Sequence, residues 1–116
     1  MTDNYLSADT ALALGVTALT CAQSTCPGYG TPHYVTNGNP EFHRAYEAAG
    51  DGWAVEVDMW PGAGRDKITA DDEWLIFIQT RGFTGPVNPE NAMHLALAIT
   101  AAALEARTRN ATKRGE

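Results

Sequence analysis

The sequence predicts an α+β fold: a small antiparallel sheet covered by a long C-terminal helix, with a Cys/His-containing loop near the N-terminus. Three stretches carry that expectation. "WAVEVDMW" (53–60) alternates apolar and acidic residues, "EWLIFIQT" (73–80) is a β-prone apolar run, and "NPENAMHLALAITAAALEA" (88–106) opens with a helix-start signal.

Taken in order, "SADTALALGVTALTCA" (7–22) reads as a helix capped by Ser7 that stops near Gly15. Extended chain over "VTALTC" follows, favoured by β-branched Val16 and Thr17. Residues 23–40 are rich in Gly, Pro, Ser, Thr and Asn and read as a loop. "NPEFHRAYEAAGDG" (39–52) has Asn39 as cap, Pro40 at the first position and Gly50 as stop, so a short helix is expected. In the strand from Trp53, the side chains of Trp53, Val55, Val57 and Met59 share one face, and Glu56 and Asp58 form an acidic face opposite. "PGAGRDKITADD" (61–72) is too long for a tight hairpin. The strand over 74–79 is apolar on both faces and is expected at the centre of the sheet.

The last helix starts at Asn88, Pro89 and Glu90 and runs to Arg107 and Arg109. Leu95, Ile99 and Ala102 make one apolar stripe, and Met93, Leu97 and Leu104 make another, which predicts burial on more than one side. A homodimer through the 89–107 helix would supply the second cover, and so would the N-terminal segment of the same chain.

A chain of 116 residues with 44% hydrophobic and 19% charged residues fits one globular domain, ordered over about 7–107 with a basic segment, 108–116, that frays. The net charge is −6. Residues 107–116 carry four basic residues against Glu116, while the remainder carries four basic and thirteen acidic ones. Such an acidic body is poorly suited to gripping phosphates, so nucleic acid is not the expected partner. No stretch reaches the roughly 18 apolar residues of a membrane span. "ALTC" ending at Cys21 is a faint match to a lipoprotein box, with Ala18 in place of the usual Leu and no basic residue before it. A cytoplasmic location is expected, where a disulfide between Cys21 and Cys26 would not normally persist.

"CAQSTCPGYGTPHYVTNGNPEFH" (21–43) holds both cysteines and two of the three histidines, spaced Cys-x4-Cys-x6-His-x9-His. Cys21, Cys26, His33 and His43 supply the four ligands of a closed zinc shell, and Pro27-Gly28 after Cys26 supplies a turn. The second half of the spacing is unusual, since zinc-binding histidines commonly stand three to five residues apart. His43 would have to arrive from the start of the short helix. A buried pair of ordinary thiols in a loop is the competing interpretation. A redox pair fits less well, because it would favour Cys-x-x-Cys at a helix start.

"CPGYGTPH", His43, two strands and the "VNPENAMHLALAITAAALEA" helix resemble a family of small actinobacterial and actinophage domains of unknown function. That family shows Cys-Pro-x-Trp-Cys, two later histidines, two or more strands and a closing helix. The resemblance covers about residues 20–107. It implies that Cys26 and Pro27 match the motif, that Tyr29 stands for its aromatic residue, and that His33 and His43 stand near its two histidines. Gly30 occupies the place of its second cysteine, a role left to Cys21.

Other constellations are weaker. "PGAGR" (61–65) could cradle an anion with its amides, and Asp71, Asp72 and Glu73 could meet a hard cation. Glu90 and His94 form a helix-local pair. Tyr29, Tyr34 and Trp60, aromatic residues near the loop and the acidic face, are candidate contacts for a protein partner. No catalytic constellation can be assembled. The expected function is a non-enzymatic protein-binding or regulatory module, with zinc as the candidate cofactor fixing the 21–43 segment. The alternatives are an enzyme using Cys26 as nucleophile or an open zinc, and a nucleic-acid accessory protein using residues 107–114.

Overall fold

A computed structural model of the protein describes residues 17–35 and 41–115. The expected helix over 7–15 and its cap, and the Asn39-Pro40 helix start, lie outside them. Five strands, β1 (Thr17–Thr20), β2 (Pro32–Val35), β3 (Phe42–Gly50), β4 (Trp53–Met59) and β5 (Leu75–Gln79), precede one helix, α1 (Pro89–Lys113). The strands pair in chain order, antiparallel at β1–β2, β2–β3 and β4–β5. The α+β class, an antiparallel sheet with a helix packed against it, is as the sequence predicts.

Two compact units are built on this framework: 17–35, 41–44 and 59–73 form one, and 45–58 and 74–115 form the other. In the first, β1 and β2 make a hairpin whose connection, 21–31, folds into successive turns. The Cys21 amide donates to Thr31 O (2.9 Å), Gly30 donates back to Cys21 O (2.9 Å), and the amides of Cys26, Tyr29 and Thr31 each donate three residues back. β2 then pairs with the start of β3, His33 opposite His43 and Tyr34 opposite Phe42. The core here is an aromatic column. Phe42 stacks on Tyr34 (centroids 4.7 Å apart) and on Trp60 (4.1 Å), with the buried Arg44 guanidinium 5.2 Å from the Phe42 ring.

The loop after β4 is organised around Asp72. Its carboxylate accepts from the Gly62 amide (3.1 Å), the Thr69 amide (2.8 Å) and both arms of Arg65 (3.1 and 2.8 Å). Burial raises the Asp72 carboxyl, but Arg65 and the two amides outweigh it and hold it below its ordinary value. In the "PGAGR" stretch the Gly62 amide and the Arg65 side chain hold an anion of the chain's own. Asp72 is spent on Arg65 rather than offered to a cation.

In the second unit, Asp51-Gly52 turns β3 into β4, with Gly52 at φ +81, a conformation that favours glycine. Asn91, in the first turn of α1, holds that corner. Its Oδ1 accepts from Trp53 Nε1 (2.8 Å) and its Nδ2 donates to Asp51 O (2.7 Å). Asn88 caps the helix by accepting from the Asn91 amide (2.8 Å), with Pro89 in the first turn, as the sequence predicts. Near the other end, Asn110 accepts from the Trp74 amide (2.8 Å) and donates to Trp74 O (3.0 Å). The Arg109 guanidinium lies 5.3 Å over the Trp74 ring.

Four expectations are corrected. Residues 42–50 form strand β3, not a helix, because pairing with β2 and the Asp51-Gly52 turn override the helix formers Ala45, Ala48 and Ala49. The 23–40 segment contains strand β2. Strand β5 lies at the sheet edge, with Leu75 (57%) and Ile78 (51%) exposed, rather than at its centre. Glu56 and Asp58 are buried and partnered, so β4 has no acidic solvent face. Within the described residues, helix α1 buries Ala98, Ala102 and Ala106, and the second stripe, Met93, Leu97 and Leu104, is the face that a second copy or the N-terminal segment was expected to cover. The helix continues through Lys113. Among the described residues, no helix is long and apolar enough to cross a membrane.

Candidate metal centre

His33 and His43 are opposed residues of an antiparallel pair and therefore project from the same face of β2 and β3. Their rings stack, with centroids 4.3 Å apart and planes 14° from parallel. This explains the nine-residue spacing: it is a strand register, not a helical one. Cys21 follows directly on β1, whose last residue, Thr20, pairs with Pro32, next to His33. One ligand atom each from Cys21, His33 and His43 lies within 4.8 Å of the other two, a group able to hold a metal ion.

Cys26 reaches the group from the turn. Its Sγ lies 3.4 Å from His43 Nε2. Neither cysteine is in a disulfide. Of the four ligand candidates named from the sequence, Cys21, His33 and His43 thus form one tight group, and Cys26 meets it at His43. The Cys26–His43 separation suits a shared ion, since a sulfur and a nitrogen on one tetrahedral zinc stand about 3.6 Å apart by their bond lengths.

The protonation of His43 follows from its neighbours. Thr31 Oγ1 has a single proton and donates it to Gly28 O at 2.6 Å. Its 3.3 Å contact with His43 Nδ1 is then one in which the ring N–H donates and the hydroxyl accepts. Nε2 is left with a lone pair facing Cys26. Burial, followed by the charge of His33, lowers the His43 pKa to about 4. The ring is therefore neutral near pH 7, the state that ligates metal. Gly28 is the floor beneath it: a Cβ there would stand 2.3 Å from His43 Cγ.

His33 Nε2 lies 3.2 Å from Glu41 Oε2, off the line of a hydrogen bond and shielded from solvent. Burial pushes the Cys26 thiol above its ordinary value; the Gly28 amide pulls it down, and Cys21 and Glu41 push it up again. An elevated thiol is a poor free nucleophile.

Cys21, Cys26 and His33 border a cleft of about 450 Å³, whose remaining wall includes Glu41, Lys67 and Thr69. Of the aromatic candidates, Tyr29 is exposed (57%) on the 21–31 turn and Trp60 is half-buried against Phe42. Tyr34 is buried (5%), a member of the core column rather than of the surface. His94 is exposed on α1 and outside the cluster. Sequence reasoning named Gly28 only as part of a turn and missed Thr31 and Glu41, and the one available signal was their place beside the Cys and His residues. The chain matches no family model, no curated protein and no solved structure.

Proposed function

We propose that this protein is a small protein-binding module whose 21–31 turn is fixed by one zinc ion held by Cys21, Cys26, His33 and His43. The observation that carries this reading is the convergence of Cys21, His33 and His43 from three separate segments, with Cys26 Sγ 3.4 Å from His43 Nε2 and the His43 lone pair turned inward by Thr31. A Cys2His2 donor set is the chemistry of structural zinc. The ion would pin the hairpin connection to β3 and present Tyr29 on a rigid turn, with Trp60 near the end of β4. The partner would be a protein, since the acidic body disfavours phosphate backbones.

Native mass spectrometry of the protein after incubation with zinc and desalting tests the metal. One zinc per chain is expected, lost in Cys21→Ser and His43→Ala. A protein that takes up no zinc would sink the proposal. For the partner, the expected result is a complex recovered from the source cells that Tyr29→Ala weakens at unchanged zinc content.

A second reading rests on one observation: Cys21, His33 and His43 form the tight group, and the cleft touches two of them. A zinc with three protein ligands and one exchangeable position would face that cleft and could activate water. X-ray absorption of the zinc-loaded protein separates the two, with two sulfur ligands for the structural site and one for the open site.

A further inference from the structure

We propose that the site is a peroxide-sensitive metal switch, in which oxidation joins Cys21 to Cys26 and releases the zinc. The inference rests on the zinc reading above and adds its regulation. Three geometric facts support it. The two sulfurs flank the same imidazole, Cys26 Sγ 3.4 Å from His43 Nε2 and Cys21 Sγ within 4.8 Å of a His43 ring nitrogen. Both line the same 450 Å³ cleft, which gives a small oxidant a path to them. The four residues between them, Ala22 to Thr25, are exposed and belong to no strand or helix, so the turn can close a bond without breaking a ladder.

The exposures also set the order of events. Cys26 is half-buried and Cys21 is buried. Zinc keeps both sulfurs as thiolates. The Cys26 thiolate attacks one peroxide oxygen, the O–O bond breaks, and hydroxide leaves to become water, forming a sulfenic acid. The Cys21 thiolate then attacks the Cys26 sulfur, the S–O bond breaks, and a second hydroxide leaves. The two sulfurs together lose two electrons, and hydrogen peroxide is reduced to two waters. With both thiolates gone, His33 and His43 alone hold the ion weakly, and it departs. The aromatic column and the Asp72 loop make no use of the sulfurs, so the surrounding unit keeps its packing.

The test starts from zinc-loaded protein, its metal content confirmed by native mass spectrometry. Hydrogen peroxide is added in steps, zinc is followed with a zinc-sensitive chromophore, and thiols are followed by intact mass. The expected result is one zinc released per chain together with a mass loss of about 2 Da, the signature of a disulfide, both reversed by dithiothreitol and fresh zinc. Cys26→Ser, which retains three ligands, should release zinc about tenfold more slowly at the same peroxide, and Cys21 should form no internal disulfide. Protein without zinc at the outset would overturn the zinc reading and the switch together. Zinc that stays bound, or a mass gain of about 32 Da for a sulfinic acid in place of the disulfide, would overturn the switch alone.

Discussion

Replacing Gly28 by alanine should damage the candidate metal site without changing any of its ligand residues. The added methyl would stand 2.3 Å from Cγ, 2.4 Å from Nδ1 and 2.6 Å from Cδ2 of His43. Ordinary contact begins at 3.4 Å, so the ring must retreat by about 1 Å. There is little room behind it: His43 is 1% exposed and stacked on His33 at 4.3 Å. Overpacking of this kind costs about 1–3 kcal/mol of stability. A metal ligand tolerates only about 0.2 Å of displacement. Loss of ring placement should therefore weaken zinc by about 10–100-fold, as loss of a supporting contact does. Competition against a chromophoric chelator reads the affinity, and thermal unfolding with and without zinc reads the stability. Gly64→Ala is the control. Gly64 has open space around it but φ of +80, so its alanine variant should lose about 1 kcal/mol through backbone strain and keep its zinc affinity. Gly28→Ala with unchanged zinc affinity would refute the placement of His43 over Gly28.

Three further outcomes are expected. Thr31→Val keeps the shape of the side chain but removes the acceptor for His43 Nδ1–H, so zinc affinity should fall about tenfold in the same competition assay, while Thr31→Ser should hold it. Asp72→Asn should cost about 2 kcal/mol in chemical denaturation, because the charge that joins Arg65 to two amides is gone. The folded Asp72 carboxyl is held below its ordinary value, so its contribution is complete above about pH 4 and fades as pH falls through the folded pKa; the variant should lack that part of the acid limb. Asn110→Ala removes both bonds to the Trp74 backbone and should cost about 1–3 kcal/mol, with faster hydrogen exchange at the Trp74 amide as the local readout.

What the sequence revealed and what it hid follow the range of the forces involved. The start of α1 was legible because Asn88, Pro89 and Glu90 act within one turn, and β4 was legible because its alternation is local. Strand β3 was hidden because Asn39-Pro40-Glu41 reads as a helix start and alanines follow, while the pairing that makes it a strand comes from residues ten positions earlier (His33 with His43). Asp51-Gly52 was the hairpin signal to weigh against that. The edge position of β5 was hidden too, since apolar residues on both faces describe a strand and not what lies beside it. For the site, the four candidate residues were legible as a count of residue types. Their geometry was not, because Cys-x4-Cys-x6-His-x9-His makes sense only once β2 and β3 are in register. Gly28 and Thr31 were illegible because glycine and threonine are common in any turn.

The facing of His33 and His43 has a consequence for how the chain reaches its folded form. A slip of one residue between β2 and β3 would send the two imidazoles to opposite sides of the sheet. Only one alignment of these strands brings both rings to the same ion. A bound ion would then act as a proofreader of strand alignment, rejecting offset pairings that backbone hydrogen bonds alone would tolerate. With zinc bound, metal occupancy and correct alignment would be one quantity, and the zinc content of a refolded sample would count its correctly threaded molecules.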